Sequence, residues 1–172
     1  MQRKTRGFTL VELMITLLVA AIGLTLGIPS YQNFIEKSRV RSTTEELVDL
    51  LRMSRLIAVE HRNKVSVCGS SSNRECDNNW TSGILSVKRG QDGAADEIMG
   101  SITISEKVSL SKTNDGENNP NIDFQVSGWV PWDNTTFSIC PTNGQQRNAY
   151  KVVVAPSGKI RVEPNTNNED WC

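Results

Sequence analysis

Histidine is nearly missing from this chain of 172 residues, with His61 alone, and the four cysteines at 68, 76, 140 and 172 form no C-x-x-C pair. A zinc centre needs several Cys, His or carboxylate ligands at short spacings, so the composition argues against a bound metal. An excess of one charge is missing too: 19 Lys plus Arg face 19 Asp plus Glu. That balance argues against a globally basic nucleic-acid binder. With 22% charged and 37% hydrophobic residues the chain is not wholly disordered either. No hydrolase or transferase constellation appears, and His61 sits among charges at a helix end, where an exposed or capping imidazole is the ordinary reading. The run Asp92-Gly93-Ala94-Ala95-Asp96-Glu97 lacks the alternating oxygen ligands and the glycine position of an EF-hand loop and reads as a polar turn. No internal repeat is evident. A non-enzymatic chain without a cofactor remains, of a length that suits one domain with an appendage.

Charge is also missing locally. From Phe8 to Ile28 the only ionisable residue is Glu12, whereas the seven residues before it carry Arg3, Lys4 and Arg6 and no acid. A helix over this stretch would span about 31 Å, matching a hydrocarbon core of about 30 Å. A cleaved secretory signal would have a shorter apolar core and a small-residue cleavage site, and no clear A-x-A precedes Ser30. A simple single-pass anchor leaves Glu12 unexplained, because an acid inside a membrane span costs about 2.5 to 3.5 kcal/mol unless paired. Ala20, Gly23 and Gly27 permit close helix approach, and Pro29 predicts a kink or stop.

The segment Lys4-Thr5-Arg6-Gly7-Phe8-Thr9-Leu10-Val11-Glu12-Leu13 resembles the class III signal of type IV prepilins and type II secretion pseudopilins. The resemblance implies cleavage between Gly7 and Phe8 by a membrane prepilin peptidase and N-methylation of Phe8. Residues 1–7 would then be a leader, residues 8–29 a transmembrane and assembly helix (membrane contact over 8–28), and residues 30–172 a soluble domain. It also implies that Glu12 meets the Phe8 amino group of a neighbouring subunit in a filament. A carboxylate in low dielectric is tolerable mainly beside a cation.

Beyond Pro29 charges are mixed, while Val40, Leu47, Leu50, Leu51, Ile57 and Ala58 recur at helical spacing with Ser54 in a small position. This predicts an amphipathic helix over about 31–62. From about 64 to 172 the period changes to two, in short runs starting near Lys64, Gly83, Glu97, Val108, Ile122, Thr136, Tyr150 and Lys159. Turn chemistry separates them, as in Gly90-Gln91-Asp92-Gly93, the run from Asn114 to Pro120, and Pro156-Ser157-Gly158. The expected fold is α+β: a long N-terminal helix packed on antiparallel sheets, two in number by strand count. That is the type IV pilin-like arrangement.

An even cysteine count in an exported domain predicts two disulfides, and of three connectivities the local one, Cys68–Cys76 with Cys140–Cys172, is favoured. The second bridge would tie down a polar segment that otherwise frays.

The run Leu51 to Cys68, containing Ser54-Arg55-Leu56-Ile57-Ala58, followed by Trp80 and Gly83-Ile84-Leu85, resembles the GspH/FimT family of minor pilins and pseudopilins. There an A-R-x-x-A-like element ends the helix; here serine replaces the first alanine. A FimU-like minor pilin of a type IV pilus is the implied function, priming assembly and sitting at or near the tip. Its implied partners are other minor and major pilins, the prepilin peptidase and an inner-membrane assembly platform. The implied location is a single pass of the inner membrane, with the soluble domain in the periplasm and later in the filament. The alternative is a GspH-type minor pseudopilin of type II secretion. Gly158-Lys159-Ile160-Arg161 also resembles the Gly-Arg-x-Arg element through which FimT-type pilins contact DNA for natural transformation. Strand period puts Lys159 and Arg161 on one face, where both could reach phosphates. Lysine in place of the first arginine loses the bidentate fork, and an ordinary solvated strand face stays open as a reading.

Overall fold

The computed structural model describes residues 7–90, 94–114, 120–131 and 134–172. The basic residues Arg3, Lys4 and Arg6, the turn residue Asp92 and residues 115–119 lie outside these.

Helix α1 runs Leu10–Glu60, 51 residues. Thr9 caps it, its Oγ1 accepting the Glu12 N–H at 3.2 Å. Thr9 and Glu12 have the spacing of a capping box, and an acid in the first turn complements the positive end of the helix dipole. Helical assignment continues through Pro29. A proline removes one intrahelical bond but need not end a helix whose flanking ladder holds. At the far end Arg62 takes a left-handed φ of 47°. The Asn63 N–H then reaches the Ala58 carbonyl at 3.2 Å, a Schellman-type ending that satisfies an otherwise orphaned acceptor.

The chain forms two units, one reaching Ile35 and the other Glu36–Cys172. In the first, every described side chain from Phe8 to Phe34 is exposed. In the second, α1 buries Val40, Leu47, Leu50, Leu51, Ile57 and Ala58, all under a tenth exposed, as one stripe. The charged side chains between them stay outside while Thr43, Thr44 and Ser54 join the buried face, so the stripe has the width expected of a helix packed on one side.

Among the described residues eight strands follow: β1 (Val65–Gly69), β2 (Gly83–Lys88), β3 (Glu97–Thr103), β4 (Val108–Asn114), β5 (Ile122–Phe124), β6 (Thr135–Pro141), β7 (Tyr150–Val154) and β8 (Ile160–Pro164). They form two four-stranded sheets, ordered β3-β2-β1-β5 and β4-β6-β7-β8. Every pairing is antiparallel. Val65, Val67, Ile84 and Phe124 from the first sheet join Phe137, Ile139, Val152 and Val154 from the second in one core with the α1 stripe. Trp80 meets Phe137 across it at 5.3 Å between ring centroids. Each such side chain contributes about 1.5 to 3 kcal/mol by leaving water.

Helix and sheet approach closely at Ser54, which is fully buried. Its Oγ donates to the Leu50 carbonyl at 2.6 Å and lies 2.7 Å from Ser86 Oγ on β2, with which it shares a hydrogen bond. Two elements differ from the sequence reading. Strand β4 continues past Leu110 because Ser111, Lys112 and Thr113 pair with Ser138, Phe137 and Thr136 of β6. A 3-10 turn at Gln146–Asn148 also precedes β7.

Candidate functional site

Gly7 and Phe8 stand immediately before the helix cap. Phe8 is 73% exposed, and a Cβ added to Gly7 would meet nothing within 4 Å. Packing among the described residues therefore sets no demand for glycine at position 7. Glu12 lies one turn into α1 and makes no ion pair among the described residues. The hydroxyls of Thr16 and Thr25 donate to the Leu13 and Ile22 carbonyls, each at 2.8 Å. These bonds close the polar groups of two threonines in an apolar stretch that water need not solvate. The helix contains a window of mean hydropathy 2.3, long and apolar enough by length and composition to cross a membrane.

Both disulfides are present, Cys68–Cys76 with Cα atoms 5.6 Å apart and Cys140–Cys172 at 5.9 Å. Asp77 orders the loop beside the first. Its carboxylate accepts the Ser71 hydroxyl, the Ser71 N–H at 2.9 Å and the Asn79 N–H at 2.9 Å. These bonds, the Ser71 hydroxyl foremost, hold its pKa below the usual carboxylate value. Around the second bridge Gln146 does most of the holding: Oε1 accepts the Trp171 N–H at 3.0 Å and the Cys172 N–H at 3.2 Å, and Nε2 donates to Asp170 at 2.8 Å. Lys151 Nζ sits 4.2 Å over the Trp171 ring. Sequence reading found the staple and missed this glutamine, because contacts between residues 146 and 170–172 have no periodicity to reveal them.

Lys159 and Arg161 are exposed, and neither is in an ion pair among the described residues. They leave a tight hairpin. The Gly158 N–H donates to the Ala155 carbonyl at 2.8 Å and the Ala155 N–H to the Lys159 carbonyl at 2.9 Å, with Gly158 at φ 74°. That is a three-residue loop with a left-handed glycine. The segment Gln125–Trp129 repeats the pattern, with Gly128 at φ 78°. The two turns touch so closely that a Cβ on Gly158 would fall 1.9 Å from the Gly128 carbonyl oxygen. Arg55 fastens both to α1: Nε donates to the Gly128 carbonyl at 2.9 Å and a terminal nitrogen to the Ser157 carbonyl at 3.3 Å. The Ser54-Arg55-Leu56-Ile57-Ala58 element thereby acquires a physical account. Ser54 and Ala58 let the helix approach the sheets, and Arg55 holds the two turns.

Other charges serve the folded unit. Lys64 pairs with Asp123 at 2.8 Å, Lys88 with Glu97 at 2.5 Å and Arg89 with Asp96 at 2.6 Å. The Gly90 N–H first and Arg89 second hold Asp96 below the usual carboxylate value. Lys112 is the exception to surface placement. Its Nζ lies 4.8 Å over the Trp80 ring and donates to the Pro120 carbonyl at 3.0 Å. Burial brings its pKa down to about 8.

A single N-terminal helix, apolar and exposed at first and amphipathic later, carrying two antiparallel sheets on its second part, defines a type IV pilin-like protein. Residues 43–158 match the family model described as "Type II transport protein GspH", and residues 2–28 match the prokaryotic N-terminal methylation motif. The chain therefore belongs to the GspH family and is a minor pilin or pseudopilin of that type. The fold resembles the type IV minor pilin FimU of Pseudomonas aeruginosa strain PAO1, with a TM-score of 0.62, 22% identity, and coverage of 81% of this chain and 98% of that one. It also resembles the minor pseudopilin EpsH of the Vibrio cholerae type 2 secretion system, at 0.55, 18%, 75% and 99% respectively. In sequence the chain is 37% identical over 70 residues to "Prepilin peptidase-dependent protein D" of Escherichia coli K12. That match spans 41% of this chain and about half, 47%, of the relative.

Proposed function

We propose that the chain is a minor pilin of a type IV pilus, made as a precursor with residues 1–7 as leader. It is cut between Gly7 and Phe8, methylated on Phe8 and anchored by residues 8–28 in the inner membrane, with residues 30–172 in the periplasm until assembly. In the filament Glu12 faces the Phe8 amino group of a neighbouring subunit, and the chain joins other pilins near the tip to prime assembly. One observation carries this reading: an exposed apolar stretch over residues 8–28 whose only acid, Glu12, lies in the first turn of α1, within the matched methylation motif. The free space at Gly7 supports it, since a residue without a packing reason is available for recognition by a peptidase. Mass spectrometry of the assembled protein is expected to give an N-methylated Phe8 terminus; an unprocessed Met1 terminus in a filament would overturn the reading. Glu12→Ala is expected to leave membrane insertion intact and to reduce incorporation at least about tenfold, as for loss of a desolvated charge pair.

The family description favours a second reading, a minor pseudopilin of type II secretion. Deletion separates the two: lost secretion with intact twitching would select the pseudopilin. A DNA contact through Lys159 and Arg161 is a subordinate activity. It predicts a gel shift at low salt that fades steeply with ionic strength.

A further inference from the structure

Strand β8 closes one side of the second sheet. The direction of its hydrogen bonds fixes which backbone groups are spent. Because the Ala155 N–H meets the Lys159 carbonyl and the Asn165 N–H meets the Ala149 carbonyl, residues 159, 161, 163 and 165 turn toward β7. Antiparallel alternation then turns the N–H and C=O of Ile160 and Val162 outward, opposite Val154 and Val152 in the register. Among the described residues neither pair of groups finds a backbone partner. Pro164, which has no N–H, ends this free edge at one side, and the Gly158 turn ends it at the other.

The edge borders space lined by α1. A groove of about 650 Å³ runs between Leu56, Val59 and Ile160, with Arg52, Arg55 and Lys159 at its sides and no acid. A second, of about 430 Å³, continues past Arg52 toward Val48, Tyr150 and Val162 and is lined also by Arg41, Glu45 and Asp49. Val162 is 42% and Leu56 62% exposed. A strand laid along β8 would place alternate side chains beside Ile160 and Val162 in these grooves, and the others beside Lys159 and Arg161 on the opposite face. Among the described residues the two cations are in no ion pair, whereas Glu163 on the same face stands opposite Lys151.

We propose that the free edge of β8 and the groove beside α1 accept, by strand addition, an extended segment of a partner pilin subunit in which apolar and acidic residues alternate. Main-chain bonds to Ile160 and Val162 hold it, and the alternation selects it. Lys159 and Arg161 meet carboxylates in this arrangement rather than phosphates.

The inference rests on the pilin-subunit reading, which the Phe8 mass measurement judges separately. The full chain in detergent micelles is mixed with a synthetic peptide of about seven residues alternating valine and glutamate, and with its valine–lysine counterpart. Amide exchange at Ile160 and Val162 is expected to slow at least about tenfold with the acidic peptide only, while Arg161 and Glu163, already bonded to β7, change little. Val162→Pro, which removes an outward N–H and leaves the β7 ladder whole, is expected to weaken binding about tenfold. The exposed double variant Lys159→Glu with Arg161→Glu keeps the fold and is expected to exchange preference to the lysine peptide. Equal binding of both peptides, or no protection at Ile160 and Val162, would overturn the proposal. So would protection of these amides by a short DNA duplex and not by the peptide. A methylated Phe8 in filaments together with no peptide protection would remove strand addition alone.

Discussion

Residues 10–35 and 36–60 belong to one helix, yet they meet opposite surroundings. In the later part the apolar side chains form a stripe that the sheets cover, and charged side chains occupy the rest of the circumference. In the earlier part apolar side chains occupy the whole circumference and nothing in the described chain covers them. A helix apolar all round needs an external solvent of lipid or packed helices, whereas a striped helix completes itself against its own sheets. The two units to which these parts belong also differ in how an ionisable group sits in apolar company. Lys112 finds the Trp80 ring and the Pro120 carbonyl within its own unit. The Glu12 carboxylate has no ion-pair partner among the described residues.

The widest separation between the regions should appear in stability. Leu51→Ala or Phe137→Ala empties fully buried space and is expected to cost about 3 to 5 kcal/mol. Leu17→Ala, 62% exposed before the change, is expected to stay within about 0.5 kcal/mol. Urea unfolding of the full chain in detergent, followed by tryptophan emission, measures both. Equal losses at Leu17 and Leu51 would break the comparison.

The disulfides lie wholly in the unit Glu36–Cys172 and should rank by the chain they close. Cys140–Cys172 spans 32 residues and Cys68–Cys76 spans 8. Loop-closure entropy assigns them about 3.7 and about 2.5 kcal/mol. Replacing each pair by alanine is expected to preserve that order in urea midpoints. The first half of α1 should keep its helical signal in both variants. Loss of that signal would show that the two regions share their stability.

The helical stripe, the change to period two, all eight strands and the two-sheet arrangement could be read from the sequence, because burial on one face imposes periodicity on the residues that supply it. Arg55 could be seen as part of a motif, but its work could not, since Gly128 and Ser157 lie 73 and 102 residues away. The edge position of β8 was equally hidden. Sheet order depends on which connection crosses between sheets, and a strand's own letters do not encode its neighbours.

A smaller effect probes Arg55, which joins the striped part of α1 to the two glycine turns. Arg55→Ala leaves two carbonyls without their cationic donor and is expected to cost about 1 to 2 kcal/mol. Arg55→Lys should recover little of it, because one ammonium cannot reproduce the fork that reaches both carbonyls. Full recovery by lysine would reduce Arg55 to a charge on the helix surface.

The smallest effect concerns the counterpart of Glu12. Lys112 follows Val108 and Leu110 at period two and stands opposite Phe137 in the register, on the core side of β4. Burial lowers its folded pKa to about 8, whereas an unfolded chain returns it to about 10.4. Between those values the unfolded chain binds the proton more strongly, so the free energy of unfolding rises with pH. The penalty of holding this ammonium is complete below pH 8 and gone above the unfolded value. Solvent contact limits the gain to about 1 kcal/mol. Lys112→Met should therefore be the more stable protein near pH 7 by about that amount, with its advantage shrinking by pH 10. Paired urea midpoints at matched ionic strength isolate the contribution, because tyrosines and other lysines titrate equally in both proteins. A difference that stays constant from pH 7 to 10 would mean that the Trp80 face and the Pro120 carbonyl compensate the ammonium fully. The folded unit would then neutralise this internal charge without cost.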